Sequence, residues 1–238
     1  MDINIIYSDK SIAVVEKPVG VPSQADKTGD ADLQSILSDK FRYAGLVHRL
    51  DRPVGGLMVF ALNKKSETFL SKEMSGDGFS KIYYAVCCGK PKQNNGTLTD
   101  WIVKNQRQNI SSVSSKDDKK AKKAVLDYRV INSVKDERFG FLSLLEVKLY
   151  TGRHHQIRVQ TSNAGFPLWG DTKYNESFKN ERNVSPALYS AKIEFLHPET
   201  RKKVMFEKIP ETFLCSYNVY ITLKIFLKKY LHLKNIVL

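Results

Sequence analysis

The stretch His48-Arg49-Leu50-Asp51-Arg52-Pro53-Val54-Gly55-Gly56 joins a cluster of charges to a pair of glycines. The apolar run Leu-Met-Val-Phe-Ala-Leu follows it at residues 57–62 and predicts a buried strand. Glycine permits a tight bend and the close approach of a second backbone. We therefore predict that Asp51 lies on a loop supported by a rigid strand, which is a common place for a residue that acts on a ligand.

Two arginines determine the expected charge state of Asp51. Arg49 and Arg52 flank this residue in the sequence, and opposite charges within a few ångströms favour the ionised form of an acid. We therefore expect Asp51 to carry a negative charge. On this short stretch alone, a surface loop with an incidental cluster of charges is an equally good interpretation.

Apolar patterns along the rest of the chain predict many strands, few helices and mostly antiparallel connections. The fold class that follows is α+β, with a large mixed, mostly antiparallel sheet. We find no internal repeat and no linker within residues 1–213, which we predict to form one domain. Residues 214–238 mix apolar side chains with lysines and predict a basic amphipathic C-terminal extension.

Two further segments carry a structural prediction each. A short helical pattern covers residues 32–37, with Asp30 or Asp32 as its N-cap. Residues 104–123 are polar and rich in lysine, and they predict a long mobile connector.

The net charge of the chain indicates its class of partner. The 238 residues include 38 Lys and Arg against 25 Asp and Glu, which gives a formal charge of +13. A charge of this size favours a polyanionic partner, and nucleic acid is the first candidate. The alternative is a globular protein that is basic for another reason.

Cysteine and histidine usage argues against several other classes. Cys87, Cys88 and Cys215 form no C-x-x-C spacing, which disfavours a disulfide framework and a zinc site and fits a cytoplasmic location. The histidines lack a metal-ligand spacing as well. No signal peptide and no uncharged apolar run long enough for a membrane span is visible, so we expect no membrane association.

A strand predicted at residues 81–89 carries two adjacent tyrosines. Because side chains alternate along a strand, Lys81 and Tyr83 share one face and Tyr84 points to the other. One tyrosine is expected to pack in the core, which leaves the other free to face a cleft.

Residues 151–165 predict a helix that begins at Thr151 or the glycine after it and ends at a glycine. His154, Arg158 and Ser162 are four residues apart and would share one helix face. Such a polar, partly cationic face suits an anion or a carboxylate. An exposed helix surface explains the same spacing equally well.

Taken together, these motifs resemble the RluA family of RNA pseudouridine synthases, over roughly residues 3–213. The resemblance is carried by Lys17-Pro18-x-Gly20, His48-Arg49-Leu50-Asp51, Lys81-x-Tyr83-x-Ala85 with Gly89, Thr151-Gly152-Arg153-x-His155-Gln156-Ile157-Arg158 and Gly170-Asp171-x-x-Tyr174. It implies the pseudouridine synthase catalytic fold, in which helices and loops surround a central cleft. It also implies the reaction: the ribose–N1 bond of a uridine in RNA breaks, the base turns over, and a bond to C5 forms.

The resemblance assigns roles to three residues. Asp51 matches the catalytic aspartate, as nucleophile or as base, and Arg158 matches the arginine that pairs with it. Tyr83 matches the tyrosine that stacks on the base and takes the C5 proton. The expected RNA-binding residues are His48, Arg49, Arg52, Lys17, Lys81, Arg153 and His155, with Arg49 filling the gap left by the extruded uridine.

Further expectations follow from the resemblance and from one departure. We expect ribosomal or transfer RNA as the partner, a monomer, and no metal or organic cofactor. Most family members carry Thr-Ser-Gly where this chain has Val54-Gly55-Gly56. An inactive RNA-binding or ribosome-assembly protein on the same scaffold is the main alternative, although the presence of Asp51, Tyr83 and Arg158 argues against it. A glycoside hydrolase is disfavoured because such enzymes usually use two carboxylates.

Overall fold

The computed structural model describes residues 1–76 and 78–210, so the extension predicted at residues 214–238 lies outside the described part. The chain forms two compact units. The first comprises Met1–Tyr83 and Tyr189–Ile209, and the second includes Tyr84–Leu188.

The described residues form eleven strands and three α-helices, and the predicted α+β fold with a large mixed sheet is confirmed. In chain order the elements are β1 (Asn4–Ser8), β2 (Ile12–Lys17), α1 (Leu33–Phe41), β3 (Gly45–Leu46), β4 (Gly55–Ala61), α2 (Lys64–Ser75), β5 (Phe79–Cys88), β6 (Asn95–Asn105), β7 (Ile110–Ser114), β8 (Lys122–Asp136), β9 (Gly140–Leu149), α3 (Gln156–Asn163), β10 (Leu188–Leu196) and β11 (Lys203–Glu207). No helix among the described residues has the length and apolar character that a membrane crossing requires.

The first unit is built around strand β4, all of whose residues are buried. Strands β1, β2, β4 and β10 are neighbours in that order, β11 pairs with β10, and β3 pairs with β4. Every one of these pairs is antiparallel except β4 with β10, which is parallel. Side chains of β2, β4 and β10 pack with Leu70 of α2 and with Phe79. Burial on both faces explains why residues 57–62 show no polar alternation.

Gly56 permits the parallel contact between β4 and β10. Its φ angle is 122°, and a Cβ atom at this position would lie 2.4 Å from the carbonyl oxygen of Ser190. Only glycine fits, because the obstructing atoms belong to backbone and cannot rotate away. Of the glycine pair that opens β4, the second therefore determines how closely the strand approaches Ser190.

We expect Gly56→Ala to destabilise the protein by about 3 kcal/mol or more, since it combines backbone strain with overpacking. Gly89→Ala is the matched control, because Gly89 also has a positive φ angle, 92°, but nothing lies within 4 Å of its Cβ position. The control is expected to cost about 1 kcal/mol. Urea unfolding of both variants measures the difference, and equal losses would contradict this account of Gly56.

In the second unit, strands β9, β8, β6 and β7 pair antiparallel in that order. Residues 104–123 are therefore not one long mobile connector, and that prediction is wrong. Ile110–Ser114 forms β7, whose residues pair with the end of β6 from Trp101↔Ser114 to Asn105↔Ile110. A short turn allows this polar segment to complete the ladder, which its lysine-rich surroundings did not indicate.

The helix boundaries confirm one capping prediction and correct another. The Asp32 carboxylate accepts a hydrogen bond from the Ser35 N–H at 3.0 Å and caps α1, so of the two predicted candidates Asp32 is the cap and Asp30 is not. Helix α3 begins only at Gln156, because His155 has a φ angle of 55° in the left-handed region, which a right-handed helix cannot include. His154 lies before the helix, so the predicted helix face shared with Arg158 is wrong for His154.

Candidate active site

The loop that carries Asp51 is fixed by backbone hydrogen bonds. The Ser23 hydroxyl donates to the carbonyl oxygen of Leu50 at 2.8 Å and accepts from the Leu50 N–H at 3.1 Å. The Val54 N–H donates to the carbonyl oxygen of Asp51 at 2.9 Å and closes the turn. Asp51 itself is half-buried. The carboxylate is therefore attached to a backbone that is held on both sides.

Lys17 joins this loop to the preceding one. It is fully buried, and its Nζ donates to the carbonyl oxygens of Pro18 at 2.9 Å, Val21 at 2.7 Å and Arg52 at 3.1 Å. Burial lowers the pKa of Lys17 to about 7, and the charge of Asp51 opposes that shift. Because its ammonium group is enclosed by carbonyls of its own chain, we interpret Lys17 as an anchor of the Asp51 loop rather than as an RNA contact.

We expect Lys17→Met to lower the free energy of unfolding by about 3 kcal/mol at pH 7, since it leaves buried carbonyl oxygens without a donor. The loss should grow with pH. The pKa of Lys17 is near 7 in the folded protein and about 10.4 in the unfolded chain. Between these two pH values the unfolded wild-type chain binds more protons at Lys17 than the folded protein does. The free energy of unfolding of the wild type therefore rises by about 1 kcal/mol per pH unit. Lys17→Met lacks this contribution.

Urea unfolding of both proteins at pH 7, 8 and 9 measures the difference. The exposed residue Lys10 offers the control Lys10→Met, whose stability should follow that of the wild type at each pH. A difference between wild type and Lys17→Met that stays constant over this range would contradict the lowered pKa of Lys17.

Tyr83 is buried in the same unit, and the charge of Asp51 affects its pKa. Burial raises the pKa of its hydroxyl well above the usual value, and the Asp51 carboxylate raises it further. A hydrogen bond with the Ser190 side chain partly opposes this shift. Ser190 is fixed in turn, because its hydroxyl donates to the carbonyl oxygen of Leu57 at 3.0 Å. Tyr83 is thus a protonated phenol whose pKa is influenced by the Asp51 carboxylate.

His48 connects the loop to strand β4. Its Nε2 accepts a hydrogen bond from the Val59 N–H at 3.2 Å, so the proton of the neutral ring resides on Nδ1. Nδ1 is buried and has no hydrogen-bond partner among the described residues. Burial and the charge of Lys81 lower the pKa of His48 to about 3. The neutral ring orients the loop, whereas RNA binding by His48 stays a prediction.

The guanidinium of Arg52 is occupied by a neighbouring loop. It donates to the carbonyl oxygen of Gly20 at 2.9 Å and to the hydroxyl of Thr28 at 3.0 Å, and it pairs with the carboxylates of Asp30 and Asp26. These contacts organise the acidic residues beside the Asp51 loop. The three hydrogen bonds use three of the five N–H donors of the guanidinium.

In the second unit, Arg158 is buried on α3 and forms an ion pair with Asp171. Its Nε and Nη2 donate to the two carboxylate oxygens of Asp171, at 2.7 Å each. The guanidinium also lies over the ring of Tyr174, 5.1 Å from the centroid. Two residues of the motif Gly170-Asp171-x-x-Tyr174 thus contact the guanidinium of Arg158. The spacing of the motif alone did not reveal these contacts.

The ring of His155 continues this arrangement. Its Nδ1 forms a hydrogen bond of 2.7 Å with the Tyr174 hydroxyl, which also accepts from the Ser111 N–H at 2.8 Å. Burial lowers the pKa of His155 to about 2, and nearby cations, Arg158 first, add to the shift. The ring stacks on His154 with 3.7 Å between centroids. His155 is therefore a neutral ring inside the unit.

The remaining predicted RNA contacts differ in exposure. Arg49 is exposed, whereas Lys81 and Arg153 are half-buried. The Nζ of Lys81 lies 3.5 Å from the Met74 sulfur, and burial lowers the pKa of Lys81. The Nε of Arg153 donates to the carbonyl oxygen of Lys123 at 2.9 Å. RNA binding by these three residues stays a prediction, and Arg49 is the most accessible of them.

Three residues contact the predicted site residues or their backbone, and the sequence analysis assigned no role to them. Ser23 fixes the backbone beside Asp51, Ser190 bonds Tyr83, and Asp171 pairs with Arg158. Of the three, only Asp171 belongs to a motif that the sequence analysis quoted, and a buried arginine such as Arg158 requires an acid as its partner. Among the residues that the structure describes, no group of three or more His, Cys, Asp or Glu side chains is placed to hold a metal ion.

Comparison with known proteins decides the family. A family model described as RNA pseudouridylate synthase matches residues 11–163 of this sequence. The chain belongs to this family. The resemblance to RluA-type enzymes is confirmed, because curated relatives include ribosomal large subunit pseudouridine synthases C and D. The protein is therefore an RNA pseudouridine synthase, an isomerase, and RNA is its substrate.

The similarity extends over most of the synthase. An uncharacterized RNA pseudouridine synthase of Bacillus subtilis is 33% identical over 224 residues, 89% of this chain and 70% of the relative. Ribosomal large subunit pseudouridine synthase D of Pseudomonas aeruginosa is 33% identical over 237 residues, 90% of this chain and 70% of the relative. The tRNA pseudouridine synthase C of Vibrio vulnificus is 29% identical over 222 residues, 85% and 89% of the two chains.

A solved structure supports the fold independently. The human protein RNA pseudouridylate synthase domain containing 1 aligns with a TM-score of 0.73 at 23% identity, covering 93% of this chain and 94% of its own. At this identity the likeness concerns the fold alone. The alternative of an inactive RNA-binding protein gains no support from any of these matches.

Proposed function

We propose that this synthase isomerises specific uridines in structured ribosomal or transfer RNA and that Asp51 is its catalytic residue. The relatives named above support both RNA classes, since one is named for the large ribosomal subunit and another for tRNA. The observation that carries the assignment of Asp51 is its position. A carboxylate on a loop fixed by Ser23 and Lys17 acts electrostatically on the buried hydroxyl of Tyr83.

Tyr83 supplies the second group of the proposed reaction. By its match to the family tyrosine, its ring is proposed to stack on the base and its oxygen to accept the C5 proton in the final step. Because its pKa is raised, the phenol is protonated at rest, so it takes up the C5 proton as it passes its own hydroxyl proton to the Asp51 carboxylate, which by then is free of the ribose. Arg158, by its match to the family arginine, supplies the positive charge that keeps the catalytic carboxylate ionised.

The target uridine must leave its stack before a side chain can reach the ribose. Exposed Arg49, two residues before Asp51, is proposed to occupy the space that the base vacates. The net charge of +13 supports phosphate contacts, which would make RNA binding strongly dependent on salt.

The experiment that tests this function uses purified protein and full-length ribosomal and transfer RNAs lacking pseudouridine. Primer extension after pseudouridine-specific chemical modification reports which uridines are converted. We expect one or a few defined positions to be modified in at least one RNA. Binding of these RNAs with no pseudouridine at any position would contradict the proposal.

A further inference from the structure

We propose that Asp171 is a positioning residue for the reaction and acts by fixing the guanidinium of Arg158. The inference rests on the proposed function, in which Arg158 assists the catalytic carboxylate. It concerns a second carboxylate, in a different unit from Asp51, which needs no contact with the substrate.

The contact between the two side chains is bidentate and almost fully enclosed. The two bonds from Nε and Nη2 are 2.7 Å long, and the side chains of Arg158 and Asp171 are only 3% and 0% exposed. A planar guanidinium held along one edge by a carboxylate has its orientation fixed as well as its position. Because arginine has five N–H donors, this edge uses only part of its donor capacity.

Asp171 is itself fixed to the backbone. Its Oδ1 also accepts from the N–H groups of Lys173 at 3.0 Å and Tyr174 at 3.3 Å, as in a turn closed by an aspartate side chain. The preceding residue, Gly170, has a φ angle of 73°, and a Cβ there would lie 2.3 Å from the carbonyl oxygen of Ser185. The turn is thus specified by the glycine and the aspartate together.

Tyr174 supports the face of the same guanidinium. Its ring lies beneath Arg158, and its hydroxyl is bound by Ser111 and His155 as described above. Arg158 is thereby restrained along one edge by Asp171 and on one face by Tyr174. This restraint is what a charge must have if it is to stabilise a reacting carboxylate without reorganising during the reaction.

Stability alone is a weak explanation for such a pair. The desolvation of two buried charges commonly cancels their attraction, and apolar replacements of similar volume are often no less stable. If the pair only stabilised the fold, its loss would leave the reaction rate of the folded protein unchanged. If the pair positions Arg158, its loss lowers that rate.

The test compares Asp171→Asn with Asp100→Asn. Asp100 contacts the same helix α3, accepting from the side chains of Gln160 at 2.7 Å and Asn163 at 3.0 Å, and is thus a matched control. Single-turnover rates at saturating RNA are expected to fall by about 10²-fold for Asp171→Asn, because a small misplacement of a catalytic group is this costly. The RNA dissociation constant should be unchanged, and Asp100→Asn should keep the wild-type rate.

A double-mutant cycle shows whether Asp171 acts through Arg158. Lysine cannot form the bidentate contact, so Arg158→Lys already removes what Asp171 supplies. The double variant Asp171→Asn/Arg158→Lys is therefore expected to be no slower than Arg158→Lys alone. If Asp171→Asn fails to fold, Asp171→Glu provides the same comparison, because it keeps the charge and displaces the guanidinium.

A folded Asp171 variant with the wild-type rate, or effects of Asp171 and Arg158 that multiply, would overturn the inference. Failure of the proposed function looks different. It would appear as activity in Asp51→Asn, whereas failure of this inference alone leaves Asp51→Asn inactive and Asp171→Asn fully active.

Discussion

Asp51→Asn is expected to reduce pseudouridine formation by at least about 10⁴-fold, the size of effect seen when a group that takes part in covalent or proton-transfer chemistry is removed. The substitution preserves the shape of the side chain and the backbone contacts of its loop, which Ser23 and Val54 make with main-chain atoms. Asparagine is neither a nucleophile nor a base at neutral pH, so both roles considered for Asp51 are lost together.

RNA binding provides the internal control for this loss. Removing one negative charge should leave the RNA dissociation constant within about threefold of the wild-type value, because many phosphate contacts determine affinity. Asp39→Asn removes an exposed carboxylate from the same unit and should retain full activity. Substantial activity in Asp51→Asn, measured by single-turnover assay, would exclude Asp51 as the catalytic residue.

Tyr83→Phe is expected to lower the rate by about 10³-fold, within the range of general acid–base catalysis. The ring remains available for stacking, so the loss should appear in the rate constant at saturating RNA and hardly in RNA affinity. The reaction should stop after the base has turned over, because the C5 proton then has no acceptor. Product digests separated by liquid chromatography and identified by their fragmentation in a mass spectrometer can detect an accumulated intermediate, which has the same mass as uridine and pseudouridine.

Tyr84→Phe is the matched control for this experiment. Tyr84 is adjacent to Tyr83 on β5 and is also buried, and the substitution removes the same hydroxyl group. Because side chains alternate along a strand, Tyr84 points to the opposite face of the sheet. We expect it to retain activity close to that of the wild type. Equal losses in Tyr83→Phe and Tyr84→Phe would indicate a general effect of the strand rather than a role for one hydroxyl.

The parts of the fold that were predictable are those in which local pattern and tertiary structure agree. Strand β4 has an apolar run without alternation and is buried on both faces. Asp32 precedes a helical pattern and caps α1. Strand β7 was missed because its residues are polar and its place in the sheet comes from pairing with β6, a contact that local composition does not encode.

Sequence motifs led to the prediction of the candidate site residues but not of the residues that support them. Asp51, Tyr83 and Arg158 were recognised through motifs, whereas the burial of Lys17 contradicts what a lysine in a basic chain leads one to expect. The left-handed backbone at His155 had no sign in the sequence, and its ring contacts Tyr174, nineteen residues away. Such long-range contacts appear only once the chain is folded.

The most direct measurement of the central claim is a pseudouridine map of ribosomal and transfer RNA from cells that lack this gene and carry either the wild-type or the Asp51→Asn coding sequence. The account predicts that defined positions lose pseudouridine in the deletion, regain it with the wild type, and stay unmodified with Asp51→Asn. Maps that are identical in all strains, or restoration of pseudouridine by Asp51→Asn, would contradict it.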